Sequence, residues 1–233
     1  VGGAMLEDSL ADKIIEEWPC TLMQVFGTAE GLLSFTSPDD DVAVIARCQG
    51  TPVSPADEVK IVDERDEEVP TGVFGELLSR GPYTIDGYYM AEEANRTSFT
   101  EDGFYRTGDK AMWMENGRLR MGGRIKEQIN RAGEKIMPSE VEGYLCQHPN
   151  IKEAAVVGVP DEVLGNRICA YVMLEVEKQV DLREIHRFLK SIGVAFYKLP
   201  DQVESIDFWP LTSVGKIDKK VLVERATKKE REI

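Results

Sequence analysis

Between Arg124 and Ile125 the sequence changes character, and that break limits what the chain can fold into more than any motif does. Residues 1–124 carry 11 basic and 24 acidic side chains, a net of −13, whereas residues 125–233 carry 17 and 18, a net of −1. A shift this sharp predicts two units in different surroundings. The length of 233 residues leaves room for them, because a domain takes about 150 residues. A chain of this size buries roughly 70% of its unfolded surface and needs no disulfide or metal staple.

The pattern of elements changes at the same place. Before it, Ser9–Glu17 reads as a short helix with Leu10, Ile14 and Ile15 on one side, stopped by Pro19. Cys20–Phe26 reads as a buried strand, followed by a turn containing Gly27 and Glu30. Residues 37–41 and 63–68 are acidic loops. Short strands are predicted at Glu58–Val62, Gly75–Ser79, Lys110–Met114 and Arg118–Met121, with Asn116-Gly117 as the hairpin turn between the last two. After Gly123 helices enter. One covers Ser139–Gln147 with Pro138 near its start, and one runs from an Asp181 cap to Ser191 with Gly193 beyond its end. A last, highly charged helix is capped by Asp218. Between them, Ala154–Val159, Ile168–Leu174 and Val203–Phe208 read as strands.

Composition narrows the function. The net charge of −14 argues against nucleic acid and anionic membranes, which need a basic face to displace counterions. No apolar run approaches the roughly 18 residues of a membrane span. Cys20, Cys48, Cys146 and Cys169 are scattered and form no C-x-x-C pair, so reduced, mostly buried thiols in a cytoplasmic protein are expected. Two histidines, His148 and His186, are too few for a three-histidine zinc site. Val1-Gly2-Gly3-Ala4 offers neither an initiator Met nor a signal-peptide pattern, and reads like the middle of a longer chain.

Four islands can carry chemistry, and each also has a plainer reading. Glu30, on a Gly-flanked turn after a strand, can hold Mg²⁺ beside phosphate oxygens, or can be a solvated turn residue. Asp109, in Tyr105-Arg106-Thr107-Gly108-Asp109, can accept both hydroxyls of a ribose, or can serve its own turn. Gly122-Gly123-Arg124 at the charge boundary suggests a hinge, with Arg124 able to reach a phosphate or ribose, or else a hairpin end. Lys216, in a flexible loop before the last helix, can bridge two anions. One such contact at about 4 Å is worth about 4 kcal/mol at an effective dielectric of about 20. Most lysines, however, are simply exposed.

Order and spacing distinguish these islands where none does so alone. With the runs GPYTIDGYY, SFTEDGFYRTGD, INRAGEKI and LPDQVESIDFWPLTSVGKIDKK, the chain resembles the C-terminal part of the acyl- and aryl-adenylate-forming enzymes. Within that superfamily it looks most like 2,3-dihydroxybenzoate–AMP ligases of siderophore assembly. The resemblance runs from Val1 to about Lys229 and covers less than half of a full-length member.

That resemblance implies an α+β fold. Residues 1–124 would be the end of the large adenylate-binding domain with a small β-barrel-like subdomain, and residues 125–233 a mobile α+β C-terminal domain. It implies ATP-dependent conversion of an aryl acid to aryl-AMP, then transfer to the phosphopantetheine thiol of a carrier protein. Glu30 would bind Mg²⁺. Gly2, Gly3 and Ala4 would meet the adenine, while Val25, Gly27, Ala29 and Leu33 would lie near the adenylate and aryl pocket. Asp109 would hold the ribose of ATP or AMP, Arg124 would contact the nucleotide, and Lys216 would bridge carboxylate and α-phosphate. Lys126 would be the hinge, with Ala132 and Gly133 beside the thiol tunnel. The phosphate loop and most of the acid pocket would lie upstream, leaving this chain inactive alone. Lys216, Lys219, Lys220, Arg225, Lys228, Lys229 and Arg231 would form a basic patch for an acidic carrier protein, or a solvated helix. Salicylate or another acyl acid, and a non-catalytic docking module, stay open as alternatives.

Overall fold

A computed structural model describes residues 1–3 and 5–230, and the chain divides between Lys126 and Glu127, two residues after the charge break. Ala4 and Arg231 therefore lie outside the described residues.

In the first unit, α1 (Asp8–Glu17) buries Ala11 against Leu22, Ile45 and Ala46, with Ile14 and Ile15 packed alongside. The core-facing stripe is thus 11/14/15, and Leu10, expected on it, is 49% exposed. Strands β1 (Val25–Thr28), β2 (Leu32–Phe35) and β3 (Thr51–Pro52) form an antiparallel sheet, with the short helix α2 (Val42–Ile45) between the last two. The strand expected from Cys20 begins only at Val25, and Cys20 is exposed. Gln24, the residue before Val25, donates its N–H to Thr36 Oγ1 at 3.0 Å and so lies outside the regular β1–β2 ladder. It is a buried polar residue inside the apolar run, so its side chain needs partners. It donates to Ile45 O at 2.8 Å and accepts from Gln49 Nε2 at 2.9 Å, and Gln49 Oε1 accepts from Met121 N at 2.8 Å.

Strands β4 (Glu58–Val62), β5 (Gly75–Arg80), β6 (Tyr105–Trp113) and β7 (Leu119–Arg124) build a second antiparallel sheet in sequence order, with α3 (Glu92–Ser98) before β6. Ile61, Leu77, Ala111, Leu119 and Met121 form its core. The barrel-like closure expected here is not made, because β4 and β7 remain the two ends of the sheet. The β6–β7 turn places Gly117 at φ +73°, with Gly117 N bonded to Met114 O. That is a type I turn closed by a left-handed glycine. Gly122 and Gly123, read as a hinge, lie inside β7. A Cβ at Gly122 would fall 2.8 Å from the Phe74 ring, and Gly123 is paired with Lys110.

The second unit opens with a 3₁₀ turn at its boundary (Ile125–Glu127), then a hairpin of β8 (Ile129–Arg131) and β9 (Glu134–Ile136). Helix α4 (Pro138–Leu145) starts on its proline. The long hairpin β10 (Ile151–Asp161) and β11 (Gly165–Leu174) follows, then α5 (Leu182–Ser191), β12 (Gln202–Ser205) parallel to β11, and α6 (Lys219–Glu230). Helices α4 and α5 cover the face bearing Val156, Ile168, Ala170 and Val172. Helix α6 covers the other face, which bears Ala155, Val157, Cys169 and Tyr171. Burial on both faces explains why the strand centres, Ala154–Val159 and Ile168–Leu174, read as apolar runs. Asp181 caps α5 by accepting from Glu184 N, and Gly193 follows the helix at φ +85°. Among the described residues no helix is long and apolar enough to cross a membrane, and all four cysteines are free.

Candidate functional site

Glu30 sits on the β1–β2 turn, whose shape is imposed by a second segment. Gly31 has φ +126°, and a Cβ there would fall 2.6 Å from Tyr83 O. Only glycine admits so close a backbone. Ile85 N donates to Glu30 O at 2.8 Å and Thr84 Oγ1 to Gly31 O at 3.2 Å, clamping the turn. The Glu30 carboxylate accepts from Tyr88 OH at 2.7 Å, and Tyr105 OH stands 3.3 Å behind Tyr88 OH. Burial pushes the Tyr105 phenol far above its ordinary range, reinforced by the hydrogen bond to Tyr88 and the charge of Glu30. The Tyr105 bond acts to lower Tyr88, but burial and Glu30 outweigh it and the net shift is upward. Both phenols therefore stay protonated and able to donate. Tyr88 went unnoticed in the sequence because nothing near it points to a residue 58 positions earlier.

Asp109 is a strand residue, not part of a turn. Thr107 Oγ1 donates to Leu77 O at 2.8 Å and accepts from Asp109 N at 3.0 Å, while Gly108 adopts φ +69°. These contacts make a bulge opposite Leu77, where the β5–β6 register shifts. The Asp109 side chain is buried, and Arg124 Nε lies 2.9 Å from its Oδ1. Arg124 also donates to Thr107 O at 3.1 Å. Tyr105 and Asp109 are both buried and lie four positions apart on β6, so one strand carries a support of Glu30 and the buried carboxylate.

The remaining residues of the first unit gather along β1. Val25 N donates to Val1 O at 2.8 Å, and a Cβ on Gly2 would lie 3.0 Å from Val25 O. Gly3 has φ +83° with open space around it. Gly27 pairs with Leu33, which is 40% exposed, and Ala29 is exposed on the turn. Among the described residues no group of three or more His, Cys, Asp or Glu can hold a metal ion. The single carboxylate of Glu30 thus suits Mg²⁺ only when a ligand supplies the other oxygens.

In the second unit, the Lys216 loop is tied, where a flexible loop was expected. Leu211 bridges Ile217, Thr212 N donates to Lys216 O at 2.7 Å, and Gly215 N donates to Thr212 O at 2.9 Å. Lys216 itself is exposed and makes no ion pair among the described residues. Lys219, counted in the exposed basic patch, is instead mostly buried, with Nζ 2.7 Å from Glu127 Oε2 and 2.9 Å from Glu142 Oε1. Lys126 is exposed in the 3₁₀ turn at the boundary. Ala132 and Gly133 form the two-residue β8–β9 turn, both at positive φ (52° and 90°), and both are exposed. Arg131 holds that turn to Asp201 through two hydrogen bonds, one of them Nε to Oδ2 at 3.0 Å.

The AMP-binding enzyme family model matches residues 1–89, and the model of the AMP-binding enzyme C-terminal domain matches residues 140–216. The chain belongs to the adenylate-forming superfamily and is similar to its aryl-acid ligases. It is 47% identical over 229 residues to the 2,3-dihydroxybenzoate-AMP ligase of Bacillus subtilis, covering 98% of this chain and 42% of that protein. It is 46% identical over 222 residues to a salicylyl-CoA synthase / salicylate adenylyltransferase of a Streptomyces species, covering 95% of this chain and 40% of that protein. Among solved structures, ATP-bound MatB from Rhodopseudomonas palustris superimposes with a TM-score of 0.88 at 26% identity, over 96% of this chain and 44% of that one. The chain spans less than half the length of these relatives.

Proposed function

We propose that the chain is the C-terminal portion of an ATP-dependent ligase that joins a hydroxybenzoate, 2,3-dihydroxybenzoate in the first place, to AMP. The ligase then passes the aryl group to the phosphopantetheine thiol of a carrier protein in siderophore assembly, in the cytoplasm. The observation that carries this reading is the buried Asp109 carboxylate held by Arg124 on a strand bulge. A carboxylate fixed in that way suits two vicinal ribose hydroxyls, because it accepts two hydrogen bonds at matched spacing.

The other residues take consistent roles. Gly2, Gly3, Ala4, Val25, Gly27, Ala29 and Leu33 would line the adenine and aryl sides of the site. Mg²⁺ held by Glu30 and phosphate oxygens would supply charge neutralisation when bound, with Tyr88 and Tyr105 keeping that carboxylate oriented. Lys216 would place an ammonium between the acid carboxylate and the α-phosphate, offsetting the repulsion of two anions that must approach. The second unit would turn about Lys126, exchanging the Lys216 loop for the Ala132–Gly133 turn beside a thiol tunnel. An acidic carrier would be repelled by the −13 half and accepted by the nearly neutral one.

Salicylate is the second reading, favoured by the salicylate-activating relative at 46% identity. ATP–pyrophosphate exchange with a panel of hydroxybenzoates separates the two, run on this chain alone and on the chain with its upstream remainder. Exchange is expected only with the longer protein and most strongly with 2,3-dihydroxybenzoate. Failure of every hydroxybenzoate in the longer protein would sink the reading.

A further inference from the structure

We propose that Lys219 is a positioning residue which ties the pivot side of the second unit to the loop carrying Lys216. The inference rests on the roles assigned above to Lys126 and Lys216. Glu127 is the first residue after the division between the units, and its Oε2 lies 2.7 Å from Lys219 Nζ, across 92 positions of sequence. The same ammonium is 2.9 Å from Glu142 Oε1, which also accepts from Val156 N at 2.7 Å. One lysine thus joins three places: the start of the unit, helix α4 with the β10 backbone behind it, and the first turn of α6. The ammonium, with three N–H donors, serves both carboxylates at once, and the side chain's own helix is the third place.

Short, stiff links run from Lys219 to Lys216. Asp218 N donates to Pro210 O at 2.7 Å, and Asp218 Oδ1 caps α6 through Lys220 N at 3.1 Å. The loop is closed by the Leu211–Ile217 bridge, and α6 is fixed to the sheet by Tyr171 OH donating to Leu222 O at 3.0 Å. A displacement at Lys219 is therefore carried to Lys216 and not absorbed between them. Burial acts to lower the Lys219 pKa, but Glu142 and Glu127 outweigh it and the net shift is upward, so the lysine stays charged and both ion pairs persist. The Ala132–Gly133 turn is anchored separately, through Arg131 and Asp201. Losing the Lys219 tie should thus touch adenylation and spare thioester formation.

Glu127→Ala is the cleanest test, because Glu127 is 42% exposed and its loss leaves the Lys219–Glu142 pair in place. In the full-length protein, adenylation should fall at least about tenfold, against about 100-fold for a reacting group displaced by about 1 Å, while thioester formation from supplied aryl-AMP changes less than about twofold. ATP affinity measured by calorimetry and the melting temperature should stay at parent values. Lys219→Arg should retain most adenylation, and Lys219→Met combined with Glu127→Ala should cost no more than Lys219→Met alone. Lys216→Ala is run alongside. If Lys216→Ala adenylates like the parent, the functional reading falls. If Lys216→Ala is inactive but Glu127→Ala adenylates normally, or loses both half-reactions together with its melting temperature, the Lys219 inference falls.

Discussion

Arg124 and Asp109 are cross-strand partners whose side chains meet at 2.9 Å, the carboxylate 7% exposed and the guanidinium 54% exposed. The asymmetry sets what each substitution does. Arg124→Ala leaves a buried carboxylate without its cation and also removes the bond to Thr107 O. Breaking a fully buried pair costs several kcal/mol, but solvent screens the exposed arginine, so a loss of about 1–2 kcal/mol is expected. Urea unfolding followed at the first unit checks this, and an unchanged midpoint would show that the pair does nothing for the fold.

Two tyrosines give the protein an alkaline limit. Tyr105 in the first unit and Tyr171 in the second are both held protonated far above their ordinary range, in each case chiefly by burial. Their counterparts in the unfolded chain ionise near about pH 10. A raised folded pKa means that the unfolded state loses its proton first. This stabilisation is complete below about pH 10 and declines above it, by about 1.4 kcal/mol per pH unit for each tyrosine. Unfolding free energy measured from pH 8 to 11.5 should be flat and then fall. Tyr171→Phe should make the fall shallower, and an identical slope would contradict the assignment.

The Ala132–Gly133 turn is of the type that needs positive φ at both central positions, yet only one of them is glycine. An alanine held there costs about 1–2 kcal/mol, of which an unfolded chain freed by glycine takes back about 0.4–1 kcal/mol. Ala132→Gly should therefore stabilise the second unit by about 0.5–1 kcal/mol. Gly133→Ala should destabilise it by about 1 kcal/mol, although no atom lies within 4 Å of the added Cβ. Thermal melting of the two variants decides whether conformation or space governs this turn, and equal melting temperatures would refute the conformational account.

Much of the second unit is legible from sequence because its signals are local. Pro138 opens α4, Asp181 caps α5, Gly193 follows it, and the β10–β11 hairpin contains the apolar runs Ala154–Val159 and Ile168–Leu174. Where the reading failed, distant partners decide the outcome. Gln24, read as part of an apolar strand, sits just outside it with its amide in a relay ending at Met121, and Gly122 sits in a strand under Phe74. Lys219 looks like any solvated helix lysine until Glu127 and Glu142 are brought to it. The candidate site divides the same way. The identities of Glu30, Asp109 and Lys216 are visible in motifs, whereas the phenols that hold Glu30 and the bulge that buries Asp109 are products of folding.

Lys216 is exposed and tied at its backbone, so its side chain can be removed without disturbing what surrounds it. Its proposed role is electrostatic and confined to one step. Bringing a carboxylate onto the α-phosphate forces like charges together, and an ammonium aimed at both lowers that barrier without bonding to either product strongly. Removing one such preorganised group from an active site costs on the order of 100- to 1,000-fold. The second half-reaction sets a neutral thiol or its thiolate against a mixed anhydride already made, and gains little from a cation between the two anions. Lys216→Ala in the full-length protein should lose pyrophosphate exchange by about 100-fold or more, retain thioester formation from supplied aryl-AMP, and melt at the parent temperature. Loss of both half-reactions to the same degree would mean that position 216 supports the fold of its loop and not the charge of the transition state.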